Sequence, residues 1–340
     1  MNSILIIYTG GTIGMIESED RQNLVPFNLE QVLEKVPELK KIDARLDSIS
    51  FENPIDSSDM QPEHWNSIAL LIEERYEMYD GFVVLHGSDT LAYTASALSF
   101  MFDGLSKPVI LTGSQLPIGM IRTDARENLI TAVEFAARTL HEEPVIQEVA
   151  VYFEDLLYRG NRTKKYSTEA FDAFISPNYP VLGEAGVNLN FDYEELYRSD
   201  ADEFKVVYGF DNRVAVLTLF PGISEHLIRS VLSNPELRGI VMMTFGSGNA
   251  PTQQWFLNAV SEAVDRGLVI VNVTQCAKGK VEQGKYETSV GLLNCGVVSC
   301  GDMTVEATLT KMMFLLGQSG DSDWVRDKMA TNLRGELSVS

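Results

Sequence analysis

The chain has 340 residues, about two domains at roughly 150 residues each, and its 45% apolar and 22% charged residues are ordinary for a globular protein. Lys and Arg number 27 against 48 Asp and Glu, a net charge of −21, which argues against nucleic acid and anionic membrane surfaces, since both select basic faces. No stretch approaches the ~20 apolar residues that cross a bilayer.

Met1-Asn2-Ser3 puts no basic residue before a short apolar run, so Ile4–Tyr8 reads as the first strand rather than a signal peptide. Further short apolar runs follow at Phe82–His86, Pro108–Thr112, Val149–Phe153, Val214–Leu219, Ile240–Thr244 and Leu268–Val273. They are apolar almost throughout, as in parallel strands covered on both faces. Between them the spacing turns helical. Pro62 opens one helix expected to run to Met78, Leu91, Ala95, Leu98 and Phe102 share a second stripe, and Leu129, Val133 and Ala136 a third. This alternation predicts an α/β fold with a mainly parallel sheet and helices on both faces.

Periodicity fails between Asn188 and Asn212, where the chain is polar and acid-rich. We therefore expect an N-terminal domain over residues 1–190, a linker over 191–212 and a C-terminal α/β domain over 213–340. Cys276, Cys295 and Cys300 are sparse and odd in number, which suits free thiols in the cytoplasm. The sequons at Asn161 and Asn272 are then chance matches.

Ligands of open α/β sheets bind beyond the carboxyl ends of the strands. The first strand ends in Thr9-Gly10-Gly11-Thr12-Ile13-Gly14, the next in His86-Gly87-Ser88-Asp89-Thr90, and the third in Thr112-Gly113-Ser114-Gln115. Each pairs a glycine turn with a hydroxyl. Helix capping accounts for one of Ser88, Asp89 and Thr90, and for the cluster Asp56-Ser57-Ser58-Asp59 ahead of Pro62. The cations of Tyr158-Arg159-Gly160-Asn161-Arg162-Thr163-Lys164-Lys165 read more readily as a solvated face, with a proton-accepting lysine as the sharper alternative. His64, His86, His141 and His226 lack metal-ligand spacing, and no G-x-S-x-G elbow occurs.

Taken together, Thr9–Gly14 and His86–Thr90 resemble the two signature motifs of the bacterial-type L-asparaginase family. The similarity spans nearly the whole chain. It includes Asp56–Met60, Leu91–Phe100, Thr112–Gln115, Tyr158–Thr163 and Gly301-Asp302-Met303-Thr304-Val305-Glu306-Ala307, the last two resembling the cytoplasmic type I branch. The resemblance implies a smaller, flavodoxin-like C-terminal domain and hydrolysis of asparagine to aspartate and ammonia with no metal or cofactor.

By the same resemblance Thr12 is the nucleophile, passing through a β-aspartyl ester, and Ser88, Asp89 and Lys165 match the family's second Thr-Asp-Lys group. A lysine base must be desolvated or surrounded by donors, because its free pKa is ~10.4. Asp89 suits the substrate's α-amino group. Asp56, Ser57, Ser58, Gly11, Gly87, Ser88 and Ser114 complete the expected binding set. Three positions depart from the family pattern. Ser88 replaces a threonine and loses a rotamer-restricting methyl. Leu24 stands where the loop tyrosine is expected, leaving Tyr286, from a neighbouring subunit, as its substitute. Lys164 occupies the place of a regulatory threonine while Thr274-Gln275-Cys276 is retained, so the allosteric response implied by Lys164 and Cys276 is absent or altered. The resemblance implies a homo-oligomer, dimer or tetramer, with a small-molecule substrate. Competing readings are a glutaminase of relaxed specificity, a tRNA-dependent amidase subunit, which the acidic charge disfavours, and a non-catalytic amino-acid-binding protein.

Overall fold

The computed structural model describes residues 2–17, 24–26, 36–284 and 287–338. They form two compact units, Met1–Tyr208 and Gly209–Ser340.

Among the described residues of the first unit, eight strands share one sheet: β1 (Asn2–Tyr8), β2 (Ala44–Ser50), β3 (Gly81–Leu85), β4 (Val109–Thr112), β5 (Val149–Phe153), β6 (Leu156–Arg159), β7 (Gly183–Ala185) and β8 (Leu189–Phe191). Their order across the sheet is β8-β7-β6-β5-β4-β3-β1-β2. Strands β2, β1, β3, β4 and β5 run parallel, whereas β6, β7 and β8 are added antiparallel, β6 and β8 through hairpins. Order 2-1-3-4-5 places a topological switch point between β1 and β3. The register aligns strand ends there, since Tyr8 pairs with Leu85 and Leu85 with Thr112. The three glycine–hydroxyl turns consequently leave the sheet side by side.

Helices cover both faces. Ile4, Ile6, Val83, Leu85, Ile110 and Tyr152 pack in one cluster with Leu129, Val133 and Phe135 of α3 (Ala125–Ala137). The alternate residues Leu5, Ile7, Phe82, Val84 and Leu111 are buried as well, so both faces of these strands are dry, which explains their unbroken apolar runs. Helix α1 (Pro62–Glu73) starts with proline at its first turn, and His64 Nδ1 accepts from the Gln61 N–H at 3.0 Å. It ends five residues short of Met78, which lies in a separate 3-10 turn, Tyr76–Met78. Helix α2 (Leu91–Met101) is buried on nearly every side rather than along one stripe, and Phe102 belongs to a short strand beyond it.

The acid-rich stretch largely completes the first unit. Residues Leu189–Phe191 form β8, Tyr197 N–H donates to Glu148 at 2.7 Å, and Lys205-Val206 pairs with Phe102-Asp103. Arg159 and Glu148 form a buried ion pair at 2.7 Å, and Arg159 also donates to the Glu195 carbonyl. Sequence spacing cannot reveal this, because the side chains that hold the stretch lie 36 to 49 residues upstream.

In the second unit four parallel strands, β9 (Val214–Thr218), β10 (Gly239–Thr244), β11 (Val269–Thr274) and β12 (Val298–Ser299), stand in sequential order. This order differs from the 2-1-3-4-5 arrangement of flavodoxin-like sheets, which the larger unit carries. Among the described residues the other α-helices are α4 (Glu225–Leu232), α5 (Gln254–Asp265), α6 (Glu287–Asn294), α7 (Val305–Gln318) and α8 (Ser322–Met329). Ser224 caps α4 and Thr304 caps α7 through side-chain acceptance of the Leu227 and Ala307 N–H groups. The Gly301–Ala307 motif therefore includes a helix start. No helix among the described residues is long and apolar enough to cross a membrane.

Candidate active site

Two glycines bring the first two turns together. Gly11 adopts φ +86°, in the region where a Cβ is strained, and a Cβ placed on it would lie 2.4 Å from Gly87 Cα. Contact this close, backbone on backbone, leaves Thr12 and Ser88 each one residue beyond the point where the two turns meet. Thr12 is half-buried and begins the 3-10 turn Thr12–Gly14. Behind it, the Tyr8 hydroxyl donates to the Gly11 carbonyl at 3.3 Å. Burial pushes the Tyr8 phenol up to about 12, so it remains a neutral donor.

Ser57 closes the third side. Its hydroxyl would lie 2.5 Å from a Cβ on Gly87, its side chain is buried, and Thr90 Oγ1 donates to its carbonyl at 2.7 Å. Asp56 and Ser58 are engaged with each other instead. The Asp56 carboxylate accepts the Ser58 N–H at 2.9 Å and hydroxyl at 2.8 Å, which holds its pKa below the usual carboxylate range. Both are exposed; Asp56 caps the 3-10 turn Ser57–Asp59, whereas the Pro62 helix has Gln61 at its N-cap.

Lys165 reaches the second turn from 77 residues downstream. Its ammonium donates to Ser88 Oγ at 2.9 Å and to Asp89 Oδ1 at 2.7 Å. Strand pairing between Lys164-Lys165 and Phe174-Ile175 fixes the approach. The lysine side chain is mostly buried, whereas 64% of the Asp89 side chain faces solvent. Asp89 is thus open to a cationic group of a ligand while still neutralising the ammonium. The neighbouring cations are not a solvated face: Arg159 and Arg162 are buried, and both guanidinium groups lie over the Tyr179 ring.

His86 is fully buried. Nδ1 lies 2.7 Å from the Gly87 carbonyl, which can only accept, so Nδ1 carries the proton. Nε2 then accepts from Thr94 Oγ1 at 2.9 Å, and Thr94 in turn accepts from Trp65 Nε1 at 3.1 Å. Burial lowers the His86 pKa to about 4. This neutral chain ties the Ser88 turn to α1 and α2. Hydroxyl-hunting along the sequence misses it, because neither Trp65 nor Thr94 stands near a strand end.

Ser114 is buried, and its hydroxyl donates to the Leu116 carbonyl at 2.7 Å, stabilising its own turn. The adjacent Gln115 faces Ser88 instead. Lys164 is half-buried on the short strand ahead of Lys165, and Cys276 is exposed in the second unit, where its N–H donates to Thr274 Oγ1. Tyr286 and most of the Glu17–Phe27 loop lie outside the described residues. Among the described residues no group of three His, Cys, Asp or Glu is placed to hold a metal ion.

A hydroxyl at the mouth of a glycine turn, beside a second hydroxyl bonded to a desolvated ammonium, is suited to acyl transfer. The family model for the asparaginase N-terminal domain matches residues 3–197, and that for the glutaminase/asparaginase C-terminal domain residues 213–329. The chain is 45% identical over 337 residues to L-asparaginase 1 of Escherichia coli, covering 99% of this chain and 98% of that one. Its structure is similar to L-asparaginase I from Vibrio cholerae, with a TM-score of 0.90, 42% identity and 99% of each chain covered. A thermostable L-asparaginase from Thermococcus kodakarensis gives a TM-score of 0.91 at 35% identity, over 99% of this chain and 100% of that one.

Proposed function

The chain belongs to the asparaginase family, and from that premise we propose that it hydrolyses the side-chain amide of L-asparagine to L-aspartate and ammonia. The observation that carries the reading is the Lys165 ammonium bonded to both Ser88 and Asp89, beside the turn that presents Thr12. Thr12 Oγ attacks the amide carbon, its proton passes to the leaving nitrogen, and ammonia departs to leave a β-aspartyl ester. Water then attacks the ester, and Thr12 is released with its proton restored. Ser88, Lys165 and Asp89 serve as the proton-handling group in these steps. Backbone N–H groups of the two glycine turns are the donors for the developing oxyanion.

Selectivity for a free amino acid follows from pairing. Asp89, with its exposed carboxylate, takes the α-amino group, and Ser57 with the turn N–H groups takes the α-carboxylate. A ligand lacking either charge leaves those groups unpaired, at a cost of about 1–3 kcal/mol each. The first unit carries all the reacting groups in this reading. We place the enzyme in the cytoplasm as a dimer or tetramer; its three cysteines are free thiols, and the assembly follows the family resemblance. With Lys164 directly ahead of Lys165, the asparagine rate curve should depart from that of a fully allosteric enzyme.

Ammonia release from L-asparagine, L-glutamine and D-asparagine tests the assignment. Turnover with L-asparagine is expected, and Thr12→Ala should abolish it while asparagine still binds. Near-normal turnover in that variant would refute the nucleophile, and binding without release by the unaltered protein would refute the enzyme reading.

A further inference from the structure

The Ser88 hydroxyl has a second neighbour besides Lys165. Its oxygen lies 3.5 Å from Gln115 Oε1 and 2.9 Å from Lys165 Nζ. Lysine as ammonium can only donate, so the Ser88 oxygen accepts from Lys165 and its own hydrogen turns toward Gln115. The long separation makes this a weak bond by itself. What gives it direction is how Gln115 is held.

Both ends of Gln115 are anchored. Its backbone N–H donates to Asp124 Oδ2 at 2.8 Å, and the next N–H, of Leu116, donates to Asp124 Oδ1 at 3.0 Å. Asp124 is buried, and Asn128 secures the same turn by donating to the Gly113 carbonyl at 3.0 Å. At the other end Gln115 Nε2 donates to the Ala170 carbonyl at 3.0 Å. That bond decides the flip of the amide: nitrogen toward Ala170, oxygen toward Ser88. Ala170 belongs to the 166–173 loop, which Ser167 Oγ stiffens by accepting the Glu169 and Ala170 N–H groups. The same loop joins the strand of Lys165 to its partner, Phe174-Ile175.

We infer that Gln115 is a positioning residue for the reaction proposed above: its amide oxygen aims the Ser88 hydroxyl, and its amide nitrogen holds the hairpin that delivers Lys165. The inference rests on that reading of the site. Its physical motive is the missing methyl. Serine rotates about χ1 more freely than a β-branched residue, so an oxygen that must keep a lone pair toward the reacting water needs an outside restraint. Lys165 supplies one contact and Gln115 the other. With both in place one Ser88 lone pair remains for a further donor.

The test is a double-mutant cycle between Gln115 and Ser88, read by steady-state ammonia release from L-asparagine. Gln115→Leu keeps a branched side chain, one bond shorter and apolar, and so removes both bonds. In the natural background it should lower kcat about three- to tenfold, the range of one or two hydrogen bonds, with KM changed less than twofold. In the Ser88→Thr background the same change should lower kcat less than twofold, because the added methyl does the work of the glutamine. Gln115→Glu, which keeps an acceptor toward Ser88 and loses the donor to Ala170, should retain more activity than Gln115→Leu. Melting temperatures of all variants separate positioning from collapse, since a purely structural role would lower Tm and kcat alike in both backgrounds. Equal losses in the two backgrounds, or an unchanged kcat in Gln115→Leu, would overturn this inference while leaving the asparaginase reading intact. An unaltered protein that releases no ammonia would remove that reading, and this inference with it.

Discussion

Gly11 and Gly87 meet backbone to backbone at the boundary between β1 and β3, with room for no side chain on the first of them. Two turns separated by 75 residues of chain thus become one surface. Gly11→Ala must displace the Gly87 backbone and also adopt a left-handed conformation that alanine resists. We expect a stability loss of about 1–3 kcal/mol and a fall in turnover that exceeds it, because Thr12 and Ser88 would separate. Urea denaturation with ammonia release on the same samples checks both; turnover kept within twofold would contradict the arrangement.

Lys165→Met removes the ammonium shared by Ser88 and Asp89 while preserving most of the stem. Asp89 is largely exposed, so the lost ion pair should change stability by less than about 1 kcal/mol. Turnover should fall at least about a hundredfold, the usual scale for losing a general acid or base. A variant with intact Tm and intact kcat would remove Lys165 from the chemistry.

His86 gives the fold a definite acid limb. The unfolded chain protonates this histidine near pH 6.5, whereas the folded one, with its pKa lowered to about 4 by burial, does not. Across that window unfolding takes up a proton, so stability rises with pH and is lost as pH falls from about 6.5 toward 4. The full penalty, reached below about pH 4, is about 3 kcal/mol, and it is absent at neutral pH. Denaturation at pH 7, 5.5 and 4.5 should show this slope, and His86→Gln should flatten it; an unchanged slope in the variant would assign it elsewhere.

Within the second unit, Lys311 of α7 and Glu336 of the C-terminal segment form an ion pair with no solvent exposure at either side chain. Glu336 also accepts the Leu333 and Arg334 N–H groups. Lys311→Met leaves that carboxylate buried without its cation, a loss of about 3–5 kcal/mol. The expected readout is a lowered denaturation midpoint in the intact chain, with kcat measured below the transition near its natural value. No shift in midpoint would show that the pair is not needed to hold the segment.

Much of this architecture is legible along the chain because parallel strands covered on both faces are apolar almost throughout. Ile4–Tyr8, Gly81–Leu85 and Val109–Thr112 announce themselves that way, and the turns that follow them hold glycines and hydroxyls where a ligand can approach, whereas the equally apolar Val149–Phe153 is followed by the Glu154-Asp155 hairpin turn. Edge strands escape the same reading. Ala44–Ser50 alternates with polar residues along the rim of the sheet, and Gly183–Ala185 with Leu189–Phe191 are too short to show a period. The polar stretch after them looks like a linker until Glu148 and Arg159, buried deep in the sheet, are seen to hold it.

Local sequence therefore determined which residues form the central strands and which reactive types stand at their ends. Only the tertiary structure decided which of those residues meet. A hydroxyl's role depends on where its hydrogen points: Ser114 turns to the Leu116 carbonyl and Ser58 to Asp56, each two residues away, whereas Ser88 lies between Lys165 and Gln115, 77 and 27 residues downstream. Those choices follow from strand order and register, which bring three turns to one edge and leave each donor the nearest acceptor that geometry permits.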